Sequence, residues 1–284
     1  MSLTPKTPIP EGAIRYNTDS NKMEVWIGDK WMIVGTSAPN LDGGSRGLFM
    51  GGSPAVAGRT IEFIIIPLAS NATDFGDMGF QAKYCSSCAS RTRAVVAGGE
   101  SPQGNKDEIE FVTFSSTGNA TDFGNLLGAR TYISAAGNQT RGIFAGGKSP
   151  SNDNVIQYIT IASEGNSVDF GDLTQNNTNQ GGTASPTRAV YGGGASSPYS
   201  MMEYVEFATE GNSIDFGDLQ NAIGWRNGTS DSIRGVFGGG QSPTSTNTIE
   251  YIHIATQGDG FDFGDLTTDQ HLAGGACSDA HGGL

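Results

Sequence analysis

The pattern of apolar and polar positions predicts short β-strands along most of the chain. In residues 131–173, four extended segments rich in β-branched and aromatic residues are separated by Gly, Asn, Asp and Ser. Such segments bounded by turn residues are typical of antiparallel strands. They span residues 131–138, 141–147, 155–161 and 166–173. No long stretch has apolar residues at helical spacing, so we expect an all-β protein.

This four-strand unit recurs five times. Each copy has an arginine that opens its second strand and a phenylalanine in its last strand, and both series advance by 46 to 48 residues. The arginines are Arg46, Arg93, Arg141, Arg188 and Arg234; the phenylalanines are Phe75, Phe123, Phe170, Phe216 and Phe263. A period of this length is typical of propeller blades or solenoid units, and solenoid coils are usually shorter. Four antiparallel strands per unit favour a propeller blade.

The two ends of the repeat region predict a closed ring. The first unit lacks a first strand, because the Gly-rich residues 41–45 precede Arg46. After the fifth unit, residues 271–279 resemble that missing strand. Pairing the two ends removes two exposed sheet edges. We therefore predict a five-bladed β-propeller over residues 41–284, closed by a C-terminal strand.

A separate small element precedes the repeats. Residues 12–34 alternate between strand-like segments and turn residues, which predicts a three-stranded β-meander within an N-terminal arm of residues 1–40. So small a sheet does not bury both faces by itself. Its aromatic residues Tyr16, Trp26 and Trp31 are therefore predicted to anchor the arm to sister subunits or another protein. Docking on the chain's own propeller is the alternative.

Composition and charge narrow the choice of partners. The net charge of −13 disfavours nucleic acid and anionic membranes, since both would repel the chain. No secretory signal is recognised at the N-terminus, and the longest apolar run, residues 63–69, is too short to span a bilayer. Cys85 and Cys88 form a Cys-X-X-Cys pair, but a second pair for zinc is missing. Cys88 occupies the repeat position of Ala136, so packing is favoured over metal or redox chemistry.

Motifs that resemble catalytic sites do not fit the repeat. Residues 142–149 match the Walker A pattern, yet a turn and another strand follow where nucleotide binding needs a helix. Asp-Phe-Gly recurs in all five units, which excludes a single kinase-like magnesium site. Its aspartates are predicted to cap turn amides or to pair with the recurring arginines, and a ring of calcium sites is the weaker alternative. We predict no catalytic residues, no cofactor, no metal and no enzyme activity.

The order of strands and motifs resembles the kelch repeat. The resemblance covers residues 46–284 and includes a diglycine after each second strand, although Phe replaces the usual Trp near each blade's end. The diglycines are assigned to Gly51-Gly52, Gly98-Gly99, Gly146-Gly147, Gly192-Gly193 and Gly239-Gly240. The replacement of Trp by Phe indicates a divergent group of repeats. We therefore do not expect this chain to bind the ligand of any known kelch protein.

The N-terminal arm is similar to a segment common in bacteriophage tail-fibre and virion proteins. The matching positions are Gly12, Ile14, Arg15, Tyr16, Asn17, Thr18, Glu24, Trp26, Gly28 and Trp31. The resemblance implies a phage virion structural protein on the particle exterior: a tail fibre, appendage or head-decoration subunit. Other virion proteins would then bind the arm, and a host-surface glycan or protein would bind the propeller. We expect a homo-oligomer without nucleic-acid binding or membrane insertion. A soluble, lectin-like glycan-binding propeller is the alternative.

Recognition by such a scaffold is expected in the loops that vary between repeats. One set follows each diglycine, at residues 53–59, 100–106, 148–154, 195–200 and 241–247. A second set precedes each arginine strand, at residues 80–84, 175–180 and 225. Rigid blades hold such loops in place for binding, but loops also vary when nothing selects them.

Overall fold

The computed structural model describes residues 9–17, 22–33, 46–52, 58–66, 71–241 and 244–270. All regular elements in these residues are β-strands in antiparallel sheets, which confirms the all-β class. The chain separates into two compact units, Met1–Asn40 and Leu41–Leu284.

The first unit holds the predicted three-stranded meander. Its strands are β1 (Ile14–Asn17), β2 (Lys22–Ile27) and β3 (Lys30–Ile33), in the order β1-β2-β3. Gly28 turns the chain between β2 and β3 with a left-handed φ of 67°, which favours glycine. The other predicted turn, at residues 19–21, lies outside the described residues.

The second unit contains five repeat sheets, named sheets 1 to 5 in chain order. Sheet 1 has three strands in the described residues: β4 (Arg46–Met50), β5 (Thr60–Ile65) and β6 (Thr73–Asp77). Sheet 2 has β7 (Ser86–Ala89), β8 (Arg93–Ala97), β11 (Glu108–Thr113) and β12 (Thr121–Asn125), and a small hairpin, β9 (Glu100–Ser101) with β10 (Gly104–Asn105), lies in one of its loops. Sheet 3 has β13 (Ser134–Gly137), β14 (Arg141–Ala145), β15 (Asp153–Thr160) and β16 (Val168–Asn177). Sheet 4 has β17 (Gln180–Ala184), β18 (Arg188–Gly193), β19 (Met201–Glu206) and β20 (Ile214–Asp218). Sheet 5 has β21 (Asn227–Ser230), β22 (Arg234–Gly238), β23 (Thr246–His253) and β24 (Phe261–Gln270).

The four strands predicted for residues 131–173 are confirmed as β13 to β16 of sheet 3, paired in sequence order. The predicted closing strand, residues 271–279, lies outside the described residues. Closure of a ring and the number of blades therefore stay predictions.

The first strands of sheets 2 to 5 are the inner strands. β7, β13, β17 and β21 lie side by side in chain order, each next to the first strand of the following sheet. Small residues allow this approach: a Cβ on Gly228 would overlap the main chain of Gly182 in the neighbouring inner strand. Cys88 occupies this layer opposite Val95, as Ala136 does opposite Ile143, so its predicted repeat position is confirmed.

Consecutive sheets are joined by four hydrophobic clusters. In each cluster, the outer-strand phenylalanine of one sheet packs with apolar residues from the second and third strands of the next. Phe216 of sheet 4, for example, shares a cluster with Phe237 and Ile252 of sheet 5. The core therefore lies between sheets, which explains why the strands are apolar on both faces.

The Asp-Phe-Gly phrase forms an irregular edge in every sheet. A shift in strand register occurs beside it, as between Ile156 and Gln157 in sheet 3. The glycine, Gly171 in that sheet, has a φ of 148°, outside the range that L side chains readily adopt.

Two predictions about the repeats need correction. The aspartates of this phrase were expected to cap turn amides or to pair with the recurring arginines. The second alternative is wrong for three of the arginines, because Arg93, Arg141 and Arg188 donate to main-chain carbonyls of the next sheet. The diglycine of the fourth unit is Gly193-Gly194, not Gly192-Gly193. Gly192 pairs with Met202 within β18 and β19, whereas Gly193 and Gly194 have the left-handed φ values of the other diglycines. The run of three glycines concealed this register.

Candidate functional site

The N-terminal meander has one face built around its two tryptophans. Trp26 and Trp31 lie opposite each other in β2 and β3, with ring centroids 5.3 Å apart in an edge-to-face contact. The Arg15 guanidinium lies 4.2 Å from the centre of the Trp31 ring. These contacts hold the three strands together from one side.

Glu24 connects the strands on the same face. Its carboxylate accepts hydrogen bonds from Arg15 Nε at 2.8 Å and from Asn17 Nδ2 at 2.9 Å. The hydrogen bond from Asn17, followed by that from Arg15, holds the pKa of Glu24 below its ordinary value. Most positions of the tail-fibre-like motif are thus engaged within the meander itself.

The opposite face of the meander is apolar and exposed. Tyr16 lies there opposite Met23, since strand alternation directs it away from the tryptophans. The large exposed apolar side chains of this face are Ile14, Tyr16, Met23, Ile27 and Met32. We call these five residues the meander apolar face. An exposed apolar surface of this kind is typical of a protein-binding site.

The three predicted anchoring residues therefore fall on two different faces. Trp26 and Trp31 pack against each other, and only Tyr16 belongs to the meander apolar face. Sequence reasoning missed the four aliphatic members because it weighted aromatic residues. Counting the two-residue alternation from Tyr16 through the meander would have identified them.

The second candidate surface lies at one end of the repeat sheets. Main-chain bridges join the loop after a diglycine to the segment before an inner strand: Lys83 to Glu100, Thr131 to Lys148, and Gly224 to Gln241. The two sets of variable loops expected to display binding residues thus lie together. We call this end the loop face.

Loops of neighbouring sheets also contact each other across the loop face. Asn105 Nδ2 of sheet 2 donates to the carbonyl of Lys148 at 2.9 Å. Asn152 Nδ2 of sheet 3 donates to Ser196 Oγ of sheet 4 at 3.3 Å. From sheet 2 to sheet 4 the loop face is therefore one continuous surface.

One strained residue in each of sheets 2 to 5 marks the loop face. The residues Tyr84, Tyr132, Asn179 and Trp225 lie just before the inner strands and have left-handed φ values of 55–58°. Such values are unusual for bulky side chains and occur where surrounding structure enforces them. Here the Tyr132 amide donates to the Tyr84 carbonyl, and the Asn179 amide donates to the Tyr132 carbonyl. The sequence varies at these positions and gives no sign of the shared conformation, because the residue types differ.

Aromatic rings are concentrated at these positions. Tyr84 and Tyr132 stack with centroids 4.4 Å apart, and the ammonium of Lys83 lies 5.1 Å from the centre of the Tyr84 ring. Burial and the neighbouring Tyr84 raise the pKa of Tyr132 to about 12, so the Tyr132 hydroxyl stays a protonated donor at neutral pH. The indole N–H of Trp225 is buried without a hydrogen-bond partner among the described residues.

The remaining candidates from the sequence are the two cysteines, possible metal ligands and the Walker-like segment. Burial raises the pKa of Cys85 to about 11 and that of Cys88 to about 12, which disfavours the reactive thiolate. Among the described residues, no three His, Cys, Asp or Glu side chains form a group that could hold a metal ion. The Walker-like segment runs from β14 through a diglycine turn into β15, a strand.

No family model matches the chain, and no curated protein is significantly similar to it. In the part of the chain that the structure describes, no helix has the length and apolarity of a membrane span.

Proposed function

We propose that this chain is a structural protein of a bacteriophage particle, as a tail-fibre, appendage or head-decoration subunit. In this proposal, residues 41–284 form a closed five-bladed, kelch-like propeller on the particle exterior. The N-terminal arm binds other virion proteins or sister copies, and the loop face contacts the host surface or decorates the particle. Many copies would bind weakly and together gain affinity through avidity.

The observation that carries the proposal is the meander apolar face. Five large apolar side chains are exposed on a sheet whose opposite face is held by Trp26, Trp31, Arg15 and Glu24. The contacts of the opposite face leave the meander apolar face exposed, and burial of such a surface against protein is favourable. The similarity of the arm to virion segments supports virion proteins as its partners.

Point variants test the anchoring role in the purified protein. Met32→Glu places a charge within the meander apolar face and should reduce self-association, measured by light scattering coupled to size exclusion. Val168→Glu is the matched control, since Val168 is a similarly exposed apolar residue of sheet 3. If both variants keep the parent mass, the meander apolar face is not a subunit interface.

Particle incorporation tests the virion role. A chain lacking residues 1–40 should fold but be absent from purified particles, by mass spectrometry against the major capsid protein. Incorporation of this truncated chain at the parent copy number would refute the assignment of the arm.

A lectin-like glycan-binding protein is the second candidate, and the Tyr84–Tyr132 stack on the loop face favours it. Aromatic faces and phenol hydroxyls are groups that bind sugar rings. Retention on a carbohydrate array that is lost in Tyr84→Ala, but kept in Met32→Glu, would support this candidate. If the protein is not retained on the array, the glycan-binding candidate is rejected and the particle role stays as the single proposal.

A further inference from the structure

The contact between consecutive sheets, which we call a junction, repeats with the same hydrogen bonds four times. A turn amide of the following sheet donates to the carbonyl of the outer-strand phenylalanine, as Gly211 does to Phe170 at 2.7 Å. The next side chain, Asn212, accepts from the amide of Asp172 at 3.0 Å. The equivalent acceptors at the other junctions are Asn119, Asn166 and Asp259.

Two further side chains complete each junction. A buried third-strand residue accepts an amide from the preceding sheet at 2.8 Å; these residues are Glu110, Gln157, Glu203 and Glu250. The recurring arginine donates forward to a carbonyl at the end of the next sheet's third strand; these arginines are Arg46, Arg93, Arg141 and Arg188. A junction therefore has a leading half on one sheet and a following half on the next.

Sheet 5 carries the residues of a leading half, and these described residues are exposed. Phe263 is 54% exposed, whereas its four equivalents are 2–3% exposed. Gly264 has open space where the equivalent Gly171 meets the main chain of the next sheet. Arg234 stacks on Tyr251 of its own sheet, as the other arginines do on theirs, but is exposed. Within the described residues its forward hydrogen bond is not formed.

Sheet 1 carries the residues of the matching following half, and these residues are also exposed. Phe49 is 54% exposed, against 0–1% for the residues at its position in sheets 2 to 5. Ile66, whose carbonyl is equivalent to those that accept the arginines, is 40% exposed, against 0–6% for its equivalents. Glu62 and Asn71, at the positions of the two acceptor side chains, are exposed as well.

We propose that sheet 5 docks on sheet 1 of the same chain through this fifth junction. In it, Arg234 donates to the Ile66 carbonyl, Asn71 accepts the Asp265 amide, and Glu62 accepts the Thr267 amide. This inference rests on the proposed closed propeller. It adds a contact between the faces of sheets 5 and 1 to the closing C-terminal strand proposed above.

The same chain is favoured over a second copy for two reasons. Both faces belong to one compact unit, so their effective concentration is on the order of millimolar or more, far above that of separate copies. The sequence spacing also continues: the inner strands β7, β17 and β21 begin eight or nine positions after Asp77, Asp172 and Asp218, and residue 274 lies nine positions after Asp265.

Cross-linking tests the proposed junction. In a background of Cys85→Ala, Cys88→Ala and Cys277→Ala, the full chain carries Asn71→Cys with Asp265→Cys. The matched internal pair is Asn212→Cys with Asp172→Cys, and a mismatched pair, Asn71→Cys with Asp172→Cys, sets the background. Each is treated at low concentration with a short bismaleimide, and the products are separated by denaturing electrophoresis and mass spectrometry.

The 71/265 pair should cross-link within one chain as fast as the 212/172 pair. Cross-links only between chains would overturn the proposal in favour of head-to-tail copies, and a rate equal to the mismatched pair would overturn it outright. Circular dichroism checks that each variant is folded. Incorporation into particles is measured in a separate experiment, by mass spectrometry of purified particles. A chain without the proposed junction can therefore be distinguished from a chain without the virion role.

Discussion

Phe216 and Phe263 occupy the same position in consecutive sheets, yet one is buried and the other is half exposed. The local sequence, strand and register around the two residues are nearly identical. The difference is that sheet 5 follows Phe216, whereas Phe263 contacts Tyr251 of its own sheet and is 54% exposed. Burial in this protein is therefore decided by the neighbouring sheet, and the repeat by itself completes only half of each core cluster.

Truncation of these two phenylalanines should give the largest effect. Phe216→Ala should lower the free energy of unfolding by about 3–5 kcal/mol, because it removes a large buried side chain. If the fifth junction forms, Phe263→Ala should lose at least about 2 kcal/mol. Denaturant titration measures both, and a loss below about 0.5 kcal/mol for Phe263→Ala would show that its face stays open.

Three glycines separate backbone strain from junction contact. Gly171→Ala and Gly165→Ala both place an alanine at a φ near 150°, and such strain costs about 1–3 kcal/mol. Only at Gly171 would the new Cβ overlap the next sheet, adding about 1–3 kcal/mol. Gly264→Ala should resemble Gly171→Ala if sheet 1 docks there. A stability equal to that of Gly165→Ala would argue against docking.

The turn acceptors should show a smaller difference. Asn212→Ala removes the acceptor of the Asp172 amide and should cost about 1 kcal/mol. Asn71→Ala should cost a similar amount through the Asp265 amide, measured as a shift in denaturation midpoint. Val168→Ala, at an exposed position outside any junction, is the control expected to stay near the parent value. An Asn71→Ala midpoint equal to that control contradicts the predicted hydrogen bond.

The buried carboxyl of sheet 2 predicts a small pH effect. Burial raises the pKa of Glu110 above its ordinary value, so the folded state binds this proton more tightly than the unfolded state. Stability from this group is therefore greatest at low pH and falls as pH rises from the unfolded to the folded pKa. Glu110→Gln should remove that fall and be slightly more stable at neutral pH, by less than about 1 kcal/mol.

Sheet 3 provides the precedent for this substitution, because Gln157 accepts the Leu127 amide at the equivalent position. Denaturant titrations between acid and neutral pH compare Glu110→Gln with the parent, and Glu62→Gln is the matched variant on the uncovered face. A Glu110→Gln stability that runs parallel to the parent at every pH would contradict the assignment.

The sequence was sufficient for the strands and their repeat, since alternation and turn residues are local signals. The strands predicted for residues 131–173 and the three-stranded meander were both confirmed. The sequence was insufficient where different residue types share one backbone conformation. Tyr84, Asn179 and Trp225 all have a left-handed φ, and at Tyr84 and Asn179 main-chain hydrogen bonds rather than side-chain type accompany it. Similarly, the run Gly192–Gly194 gave no local signal for its register.

The candidate surfaces were predictable only in part. The variable loops were expected to carry recognition, and the structure adds that they meet at one end of the sheets. Tyr16, Trp26 and Trp31 were expected to anchor the arm together. Strand alternation instead places Tyr16 on one face of the meander and the two tryptophans on the other face. Aromatic content indicated that the meander was special, whereas cross-strand register determined which side chains are exposed.

The distance between residues 71 and 265 in a single chain tests the central claim most directly. Spin labels at Asn71→Cys and Asp265→Cys, diluted with unlabelled protein, should give the same short distance distribution in pulsed electron resonance as labels at positions 212 and 172. A longer or broad distribution, or a short distance that disappears on dilution, would contradict a ring closed by sheets 5 and 1 of one molecule.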